Sequence, residues 1–217
     1  MTTLSEENYL KAIYHLGKQG TQAVSTNAIA EKIESKASSV TDMVKKLADK
    51  NLVNYVKYQG VSLTDAGRLT AASVIRKHRL WEVFLVEKLN FSWDEVHDVA
   101  EQLEHIKSLK LVDELDAFLG FPAHDPHGDP IPDRNGNYAL RKSISILEMQ
   151  SGNEGVLAHV KDSSEVFLKY LNKNSMALGD TIKVVDFEPF DDSVTIETKT
   201  KQIIISKEVA KNLYLSQ

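Results

Sequence analysis

The chain of 217 residues contains no cysteine, which excludes both a disulfide framework and a thiolate metal site. It also lacks any run approaching 18 apolar residues, and its start, MTTLSEENYL, has no basic segment followed by an apolar one. These absences predict a cytoplasmic protein with no membrane partner. With 42% hydrophobic residues, the chain can nevertheless bury a substantial core.

Charge is distributed unevenly along the chain. The formal net charge is −5, but residues 1–80 hold 12 Lys and Arg against 7 Asp and Glu, whereas residues 81–217 hold 14 against 24. The amino-terminal part therefore carries +5 and the remainder −10. This asymmetry favours an anion-binding module at the amino terminus and cation sites further along.

Three compositional regions follow one another. Up to about residue 120 the apolar residues recur at helical spacing, and each run follows a candidate N-cap. These candidates are Ser5, Ser25, Thr64, Ser92 and Ser108. Residues 121–137 contain four of the five prolines and predict an irregular connection. From about Ser143 onward, short β-rich runs around one helical stretch, SSEVFLKYL, predict a small β-barrel or sandwich, so we expect a mainly α protein with a small β domain.

Residues 25–64 have the pattern of a winged helix-turn-helix. A short helix, STNAIAEKI, and a second helix, SSVTDMVKKLADK, precede an alternating segment around Gln59–Gly60 that predicts a β-hairpin. In such modules the second helix enters the major groove of DNA and the hairpin follows the backbone. The predicted DNA contacts are Ser38, Ser39, Thr41 and Asp42 at the start of the recognition helix, Lys45 and Lys46 one turn later, and Lys57, Tyr58 and Gln59 at the hairpin tip.

Two predicted helices carry histidines and glutamates on one face. One helix has four such residues at spacings i, i+4, i+7 and i+8, which fall within about a third of the helix circumference. They are His97, Glu101, Glu104 and His105. The preceding helix has a second pair four residues apart, His78 and Glu82. Facing helices with such groups can hold a divalent metal ion. Among Mn²⁺, Fe²⁺, Co²⁺ and Zn²⁺, the lack of sulfur ligands favours Mn²⁺, with Fe²⁺ possible.

Taken together, the motifs resemble the diphtheria-toxin-repressor family of iron- and manganese-dependent transcriptional repressors. The resemblance covers residues 5–133 and is carried, in order, by ENYLKAIYHL, SSVTDMVKKL, YQGVSLTDAGR, RKHRLWEVFL, VHDVAEQLEH and FPAHDPHGDPIP. It implies a winged helix-turn-helix in residues 1–73, a helical dimerisation and metal-binding domain in 74–121, a linker in 122–142 and an SH3-like (FeoA-like) β-barrel in 143–217. It also implies a homodimer that binds palindromic operators in double-stranded DNA when loaded with metal, and so represses metal-uptake genes.

The resemblance further implies two sets of metal ligands. The primary site would comprise Asn8, Glu101, Glu104 and His105, joined by His78 as in manganese-type members. The ancillary site would use Glu82 with His97, or Glu82 with Asp125, His127 and an acidic residue of the tail, for which Asp162 is the candidate.

Three positions depart from the family pattern. Asn8 stands where members have methionine or aspartate, and its amide oxygen is a neutral ligand. Glu101 stands where iron-type members have cysteine, which favours manganese. Lys11 replaces a carboxylate of the short manganese sensors, so their paired-metal arrangement is not expected here.

Dimerisation is expected from an apolar stripe in SLKLVDELDAFLGF, formed by Leu109, Val112, Leu115 and Leu119. Such a stripe is more often part of the core of a single chain. We favour an interface because recognition of two half-sites requires two-fold symmetry.

Two other functions fit parts of the same pattern. A winged-helix regulator could bind an organic effector on its polar face, and metal titration separates this alternative from a metal-dependent repressor. A metallohydrolase could use Glu101 or Glu104 as general base, but the sequence has no HExxH or similar catalytic signature. The chain is therefore not expected to be an enzyme. Winged helices also serve as protein-interaction modules, which leaves that role open for residues 25–64.

Overall fold

The computed structural model describes residues 2–57, 59–139 and 142–216. The chain divides into two compact units that are interleaved along the sequence. Unit 1 comprises residues 1–79, 101–113 and 132–138, and unit 2 comprises residues 80–100, 114–131 and 139–217. The consecutive domain boundaries at residues 73, 121 and 142 remain a prediction, because this division does not test them.

Unit 1 contains the predicted winged helix-turn-helix. Its elements are α1 (Leu4–Leu16), α2 (Thr26–Lys32), α3 (Ala37–Asp49), the strands β1 (Val53–Val56) and β2 (Gly60–Leu63), and the first part of α4 (Asp65–Leu89). The two strands pair antiparallel, from Val53 opposite Leu63 to Val56 opposite Gly60, as the alternation around Gln59 predicts. Fully buried apolar residues of α1, α2, α3 and β2 form its core: Leu10, Ile13, Ile29, Val40, Val44, Leu47 and Val61.

The helix starts differ in part from the predicted caps. Thr3, and not Ser5, caps α1, because its side chain accepts a hydrogen bond from the backbone of Glu6 while the Glu6 carboxylate accepts one from the backbone of Thr3. Ser25 caps α2 as predicted. The α3 helix begins one residue before Ser38, so the serines at its start lie inside the helix and do not cap it.

Three further helices follow the hairpin. They are α4, α5 (Val96–Leu103) and α6 (Leu109–Phe118). The side chains of Thr64 and Ser108 accept hydrogen bonds from the first turns of α4 and α6, as predicted. Ser92 lies further from its helix, because it opens a turn in which its hydroxyl donates to Glu95. Among the described residues, no helix is long and apolar enough to cross a membrane.

The predicted apolar stripe of α6 is only partly available to a partner. Val112 and Leu115 are buried within the chain, whereas Leu109 is 74% exposed. Phe118, at the end of α6, and Phe121, just beyond it, are also largely exposed. The stripe therefore divides into core residues and surface residues.

Unit 2 contains a six-stranded antiparallel sheet. Its strands are β3 (Ile144–Ser145), β4 (Glu154–Val160), β5 (Thr181–Phe187), β6 (Val194–Glu197), β7 (Gln202–Ile205) and β8 (Leu213–Ser216), in the order β3-β8-β4-β5-β6-β7. A 3-10 turn (Ile146–Glu148), α7 (Glu165–Lys173) and α8 (Lys207–Ala210) accompany it. Among the described strands the end strands β3 and β7 do not pair, so the predicted barrel is open. Sequence reasoning missed β8 and α8.

The proline-rich connection is irregular, as predicted, and lies against β4. His124 and Pro130 form an isolated bridge, and the backbone N–H of Val160 donates to the carbonyl of His127 at 3.0 Å. Gly128 adopts φ +85°, and a Cβ added there would lie 2.1 Å from the carbonyl oxygen of Ala158. Only glycine permits this close approach of two backbones.

Candidate metal centres and nucleic-acid interface

Three of the predicted ancillary ligands form a compact group, which we call the loop cluster: Glu82 of α4, with Asp125 and His127 of the proline-rich connection. One donor atom of each lies within 4.8 Å of the others. All three are buried, with at most 6% of each residue exposed. Two carboxylates and one imidazole, withdrawn together from water, form a donor set that requires a positive charge.

The His127 ring is oriented by a backbone carbonyl. Its Nε2 lies 2.8 Å from the carbonyl oxygen of Trp93, which can only accept, so Nε2 carries a hydrogen. Its Nδ1 faces Glu82 at 3.7 Å and Asp125 at 4.0 Å. Burial alone would lower the pKa of His127, but the nearby carboxylates of Glu82 and Asp125 raise it to about 9. A histidine whose second nitrogen donates to a carbonyl is the usual arrangement at a metal ligand.

The Asp125 carboxylate is held by the turn in which it lies. Its Oδ1 accepts hydrogen bonds from the backbone N–H groups of His127 at 2.8 Å and Asp129 at 3.0 Å. Because Gly128 sits within this turn and contacts β4, the position of the turn depends on the strand behind it. The tail domain therefore supports two ligands of the loop cluster through backbone contacts.

The other two predicted ancillary residues do not belong to the loop cluster. The His97 Nδ1 lies 3.7 Å from Glu82 Oε1, and the side chain is about half exposed. The Asp162 carboxylate accepts a hydrogen bond from the backbone of Ser164 at the start of α7, and Asp162 does not belong to the group of three within 4.8 Å. A ligand role for His97 or Asp162 stays a prediction.

The predicted primary ligands come together around α1 in unit 1. We call this group the α1 cluster: Glu7, Asn8 and Lys11 of α1, with His78, Glu101, Glu104 and His105. Donor atoms of His78, Glu101 and Glu104 lie within 4.8 Å of one another. Glu104 is fully buried, and its Oε2 lies 2.7 Å from the His78 Nδ1.

The Lys11 ammonium lies among the predicted ligands. Its Nζ is 2.7 Å from Glu101 Oε1, 2.6 Å from Glu104 Oε2 and 3.5 Å from the His78 Nδ1. The Lys11 side chain is largely buried, so these ion pairs are only weakly screened by water. A positive charge of the chain itself thus lies between two carboxylates of the cluster.

Sequence reasoning missed Glu7, which orients His105. The Glu7 carboxylate can only accept, so the His105 Nδ1, at 2.7 Å, donates to it, which leaves Nε2 as the nitrogen available to a metal ion. Burial alone would raise the pKa of Glu7, but hydrogen bonds from His105, Thr2 and Lys107 lower it. No spacing pointed to Glu7, because its partner lies 98 residues away in the chain.

Two oxygens of the α1 cluster are buried without a hydrogen-bond partner among the described residues: Asn8 Oδ1 and Glu104 Oε1. The His105 Nε2 lies 3.7 Å from the same Glu104 Oε1. Buried acceptors that face no donor are costly unless a cation satisfies them. The α1 cluster therefore offers Asn8 Oδ1, Glu104 Oε1 and the His105 Nε2 as candidate ligand atoms, and the loop cluster fits an ion among its three ligands.

Most of the predicted DNA contacts lie on the surface of unit 1. The exposed ones are Ser38, Ser39, Asp42, Lys45, Lys46, Lys57 and Gln59. Thr41 is half-buried, and its hydroxyl donates to the carbonyl of Ala37. Tyr58 lies outside the described residues. Their contacts with DNA stay predictions.

A buried carboxylate links α1 to the recognition helix α3. Glu6 is fully buried and lies 3.0 Å from the Lys46 Nζ and 2.8 Å from the Lys50 Nζ. Burial alone would raise the pKa of Glu6, but hydrogen bonds from Lys50, the Thr3 backbone and Lys46 lower it to about 2. Lys46 is therefore already paired, although about half of its side chain remains exposed.

Comparison with known proteins covers both units. Residues 1–61 match the iron dependent repressor, N-terminal DNA binding domain, residues 64–133 match the iron dependent repressor, metal binding and dimerisation domain, and residues 134–217 match the FeoA domain. The iron-dependent repressor IdeR of Mycobacterium leprae is 30% identical over 176 residues, which are 75% of this chain and 76% of that protein. The diphtheria toxin repressor of Corynebacterium diphtheriae is 32% identical over 58% of this chain and 55% of that protein.

Solved structures extend the similarity to nearly the whole chain. A manganese-dependent transcriptional repressor in complex with manganese has a TM-score of 0.88 at 33% identity and covers 98% of this chain and 99% of its own. The manganese regulator SloR has a TM-score of 0.78 at 35% identity, with 98% of both chains covered. These matches confirm the predicted fold and exclude the metallohydrolase alternative. The chain belongs to the iron-dependent repressor family, whose members are metal-dependent, DNA-binding transcriptional repressors.

Proposed function

We propose that this chain is a manganese-responsive repressor that acts in the cytoplasm as a metal-loaded homodimer on palindromic operators of metal-uptake genes. The observation that carries the proposal is the loop cluster, in which two buried carboxylates face an imidazole that a backbone carbonyl orients. Its donors are oxygen and nitrogen only. Such a set suits Mn²⁺ better than softer ions, and Fe²⁺ is the second candidate.

The same preference is supported by the α1 cluster. Glu101 supplies an oxygen where iron-type members have a sulfur, and the other donors are carboxylate, amide and imidazole groups. The similar structures include a manganese-dependent repressor and a manganese regulator. When bound, a divalent ion supplies positive charge and coordination bonds to these donors.

The residues of α1 connect the metal ligands to the DNA-reading helix. Asn8 carries one of the unsatisfied oxygens of the α1 cluster, and Glu7 holds His105. On the same helix, Glu6 pairs with Lys46 of α3 and with Lys50 directly after that helix. Any position of α1 that the ligands favour is therefore transmitted to α3. A difference of 1–3 kcal/mol between the two states is typical of such coupling and corresponds to roughly 5- to 150-fold in operator affinity.

A homodimer follows from the operator symmetry that we propose. Two recognition helices that read half-sites one DNA turn apart must be related by a two-fold axis. The matched domain of residues 64–133 is a metal binding and dimerisation domain. The exposed apolar side chains of Leu109, Phe118 and Phe121 are available for such an interface. Light scattering during gel filtration should give a mass near twice 24.3 kDa, and a mass of one chain would contradict the dimer.

The decisive experiment is fluorescence anisotropy of a labelled palindromic operator at fixed ionic strength. Binding is measured with Mn²⁺, with Fe²⁺ under anaerobic conditions, with Zn²⁺, and with a chelator. Operator affinity should rise about 5- to 150-fold with Mn²⁺. The same affinity with saturating Mn²⁺ and with chelator would contradict the proposal and would favour an organic effector.

Matched variants assign the response to the loop cluster. Glu82→Gln removes one charge at nearly constant volume and should reduce or abolish the effect of Mn²⁺ on operator affinity. His127→Gln should do the same, because it removes the oriented imidazole. The control is His15→Gln, an equivalent change at an exposed position of α1 outside both clusters. A full response in the two loop-cluster variants would rule this cluster out as the metal centre.

A further inference from the structure

We infer that Asn172 of α7 is a positioning residue of the loop cluster and that it holds the His127 imidazole in place through Trp93. The inference rests on the proposed metal response, since it concerns how firmly the loop cluster binds its ion. Asn172 does not belong to the group of candidate ligands. It acts on that group through the link between α4 and α5, residues 90–95, in which Trp93 lies.

Trp93 contacts the His127 ring in two ways. Its backbone carbonyl accepts a hydrogen bond from Nε2 at 2.8 Å, and its indole stacks against the imidazole, with ring centroids 6.1 Å apart and planes inclined by 21°. The other ring nitrogen, Nδ1, faces Glu82 and Asp125. Because both contacts come from one residue, a displacement of Trp93 moves the imidazole and changes the distance of Nδ1 from the two carboxylates.

The link around Trp93 depends on tertiary contacts for its position. It forms a turn in which the N–H of Glu95 donates to the carbonyl of Ser92 at 3.0 Å. Connecting segments of this kind are more mobile than the helices they join. The Trp93 indole is partly buried and packs against the apolar core of the tail domain. Apolar packing alone does not fix the rotation of the indole, because it is not directional.

Asn172 supplies directional contacts to two consecutive residues of the link. Its Oδ1 accepts a hydrogen bond from the Trp93 indole N–H at 2.9 Å, and its Nδ2 donates to the Asp94 carboxylate at 3.3 Å. An amide side chain carries an acceptor and a donor on separate atoms, so it can make both bonds at once. The two bonds together determine where the link lies against α7.

The α7 helix gives Asn172 a fixed support. Its buried apolar residues, which belong to the core of the tail domain, are Phe167, Leu168 and Leu171. The position of the Asn172 side chain is therefore determined by that core. The contacts run from the tail core through Asn172 and Trp93 to His127, and they do not require the tail domain to donate a ligand.

The test measures Mn²⁺ affinity at the loop cluster alone. In the background chain, Glu104→Gln disables the α1 cluster and His97→Gln removes the second histidine beside Glu82. Among the groups of candidate ligands in the described part of the chain, only the loop cluster then keeps all its members. Electron paramagnetic resonance of free Mn²⁺ during a titration gives the affinity, and circular dichroism establishes that each chain is folded.

Four chains in this background form a double-mutant cycle. Asn172→Ala removes the amide, and Trp93→Phe keeps an aromatic ring beside His127 but removes the indole N–H. Each should weaken Mn²⁺ binding about tenfold, the lower end of the 10- to 100-fold range for groups that orient a ligand. The double variant should bind Mn²⁺ as Asn172→Ala does, because both changes remove the same hydrogen bond. The matched control is Asn174→Ala, whose amide donates within α7 to the Tyr170 carbonyl, and it should leave the affinity unchanged.

Three outcomes would overturn the inference. Absence of Mn²⁺ binding in the folded background chain shows that the loop cluster is not a metal centre. A lower free energy of unfolding in Asn172→Ala with unchanged Mn²⁺ affinity shows that Asn172 only stabilises the fold. Additive losses of affinity in the double variant show that Asn172 does not act through Trp93.

Two further measurements keep these outcomes separate. If the background chain does not fold, the same cycle in the otherwise unaltered chain decides, since its four members share an intact α1 cluster and differ only at the contact. Failure of the proposed function would look different, because operator affinity of the unaltered chain would then be insensitive to Mn²⁺ whatever the cycle shows.

Discussion

Replacing Gly128 with alanine should displace the loop that carries Asp125 and His127. Gly128 has φ +85°, and the new Cβ would lie 2.1 Å from the carbonyl oxygen of Ala158. A positive φ costs a non-glycine residue about 1–2 kcal/mol. Relief of the overlap requires the loop to move away from β4, at about 1–3 kcal/mol for forced packing. The whole change should lower the free energy of unfolding by about 2–5 kcal/mol.

Gly152 provides a matched control for the backbone contribution. It has φ +89°, and a Cβ there would meet no described heavy atom within 4 Å. Gly152→Ala should therefore lower the free energy of unfolding only by the cost of a positive φ in a non-glycine residue, about 1–2 kcal/mol. The difference between the two variants isolates the contact between the Gly128 loop and β4.

The assay combines stability with metal binding. Urea unfolding of both variants gives the two free energies, and Mn²⁺ titration reports on the loop cluster. Gly128→Ala should weaken that cluster at least tenfold, because its ligands lose their support, whereas Gly152→Ala should bind Mn²⁺ as the unaltered chain does. Equal destabilisation by both substitutions, with normal Mn²⁺ binding, would refute the reasoning.

Three further predictions concern unit 1. Glu6→Gln should lower the free energy of unfolding at neutral pH by about 1–2 kcal/mol. The decrease of the Glu6 pKa from 4.5 to about 2 limits the stabilisation by its charge to about 3 kcal/mol, and solvent screens the partly exposed lysine partners. Because folding lowers this pKa, the difference in free energy of unfolding between the unaltered chain and the variant should be full above pH 4.5 and disappear toward pH 2. Urea unfolding with chelator measures this difference, and a value that does not change with pH would contradict the role of the ion pairs. Glu7→Gln should weaken Mn²⁺ binding at the α1 cluster about 10- to 100-fold in titrations without DNA, because the carboxylate that orients His105 is lost, and unchanged affinity would exclude this role. Lys45→Ala should weaken binding to all DNA sequences alike and should reduce the slope of log affinity against log salt concentration by about 1. A loss of affinity for only some sequences would contradict a phosphate contact.

Local periodicity predicted those parts of the fold that depend on neighbours in the chain. The helical runs predict helices, the alternation around Gln59 predicts a hairpin, and the proline-rich segment predicts an irregular connection. All three kinds of element appear in the structure. The four-residue strand β8 was missed because three apolar residues near the chain end give too little alternation to predict a strand. The predicted cap at Ser5 was wrong because Thr3 and Glu6 form a reciprocal pair two residues earlier.

The candidate metal centres were predictable by residue type but not by arrangement. The resemblance named Glu82, Asp125 and His127, and the structure brings these three together. It also placed Lys11 at the position of a carboxylate ligand, but it gave no reason to expect that Glu7 would orient a ligand, because that contact joins residues 98 positions apart. Such pairs depend on how the helices are rotated against one another, which no local spacing records.

Glu6 and Glu7 are adjacent residues whose carboxylates contact different parts of the chain. Glu6 pairs with Lys46 and Lys50, and Glu7 accepts a hydrogen bond from His105. Consecutive positions on a helix point about 100° apart, so α1 forms contacts on two of its sides at nearly the same height along its axis. Rotation of the helix about its axis would therefore disturb the contact of Glu7 with His105 and those of Glu6 with Lys46 and Lys50 together. These contacts therefore restrain α1 against rotation about its own axis. The motions that remain are tilt or translation of the whole helix, and α3 moves together with α1 in either case.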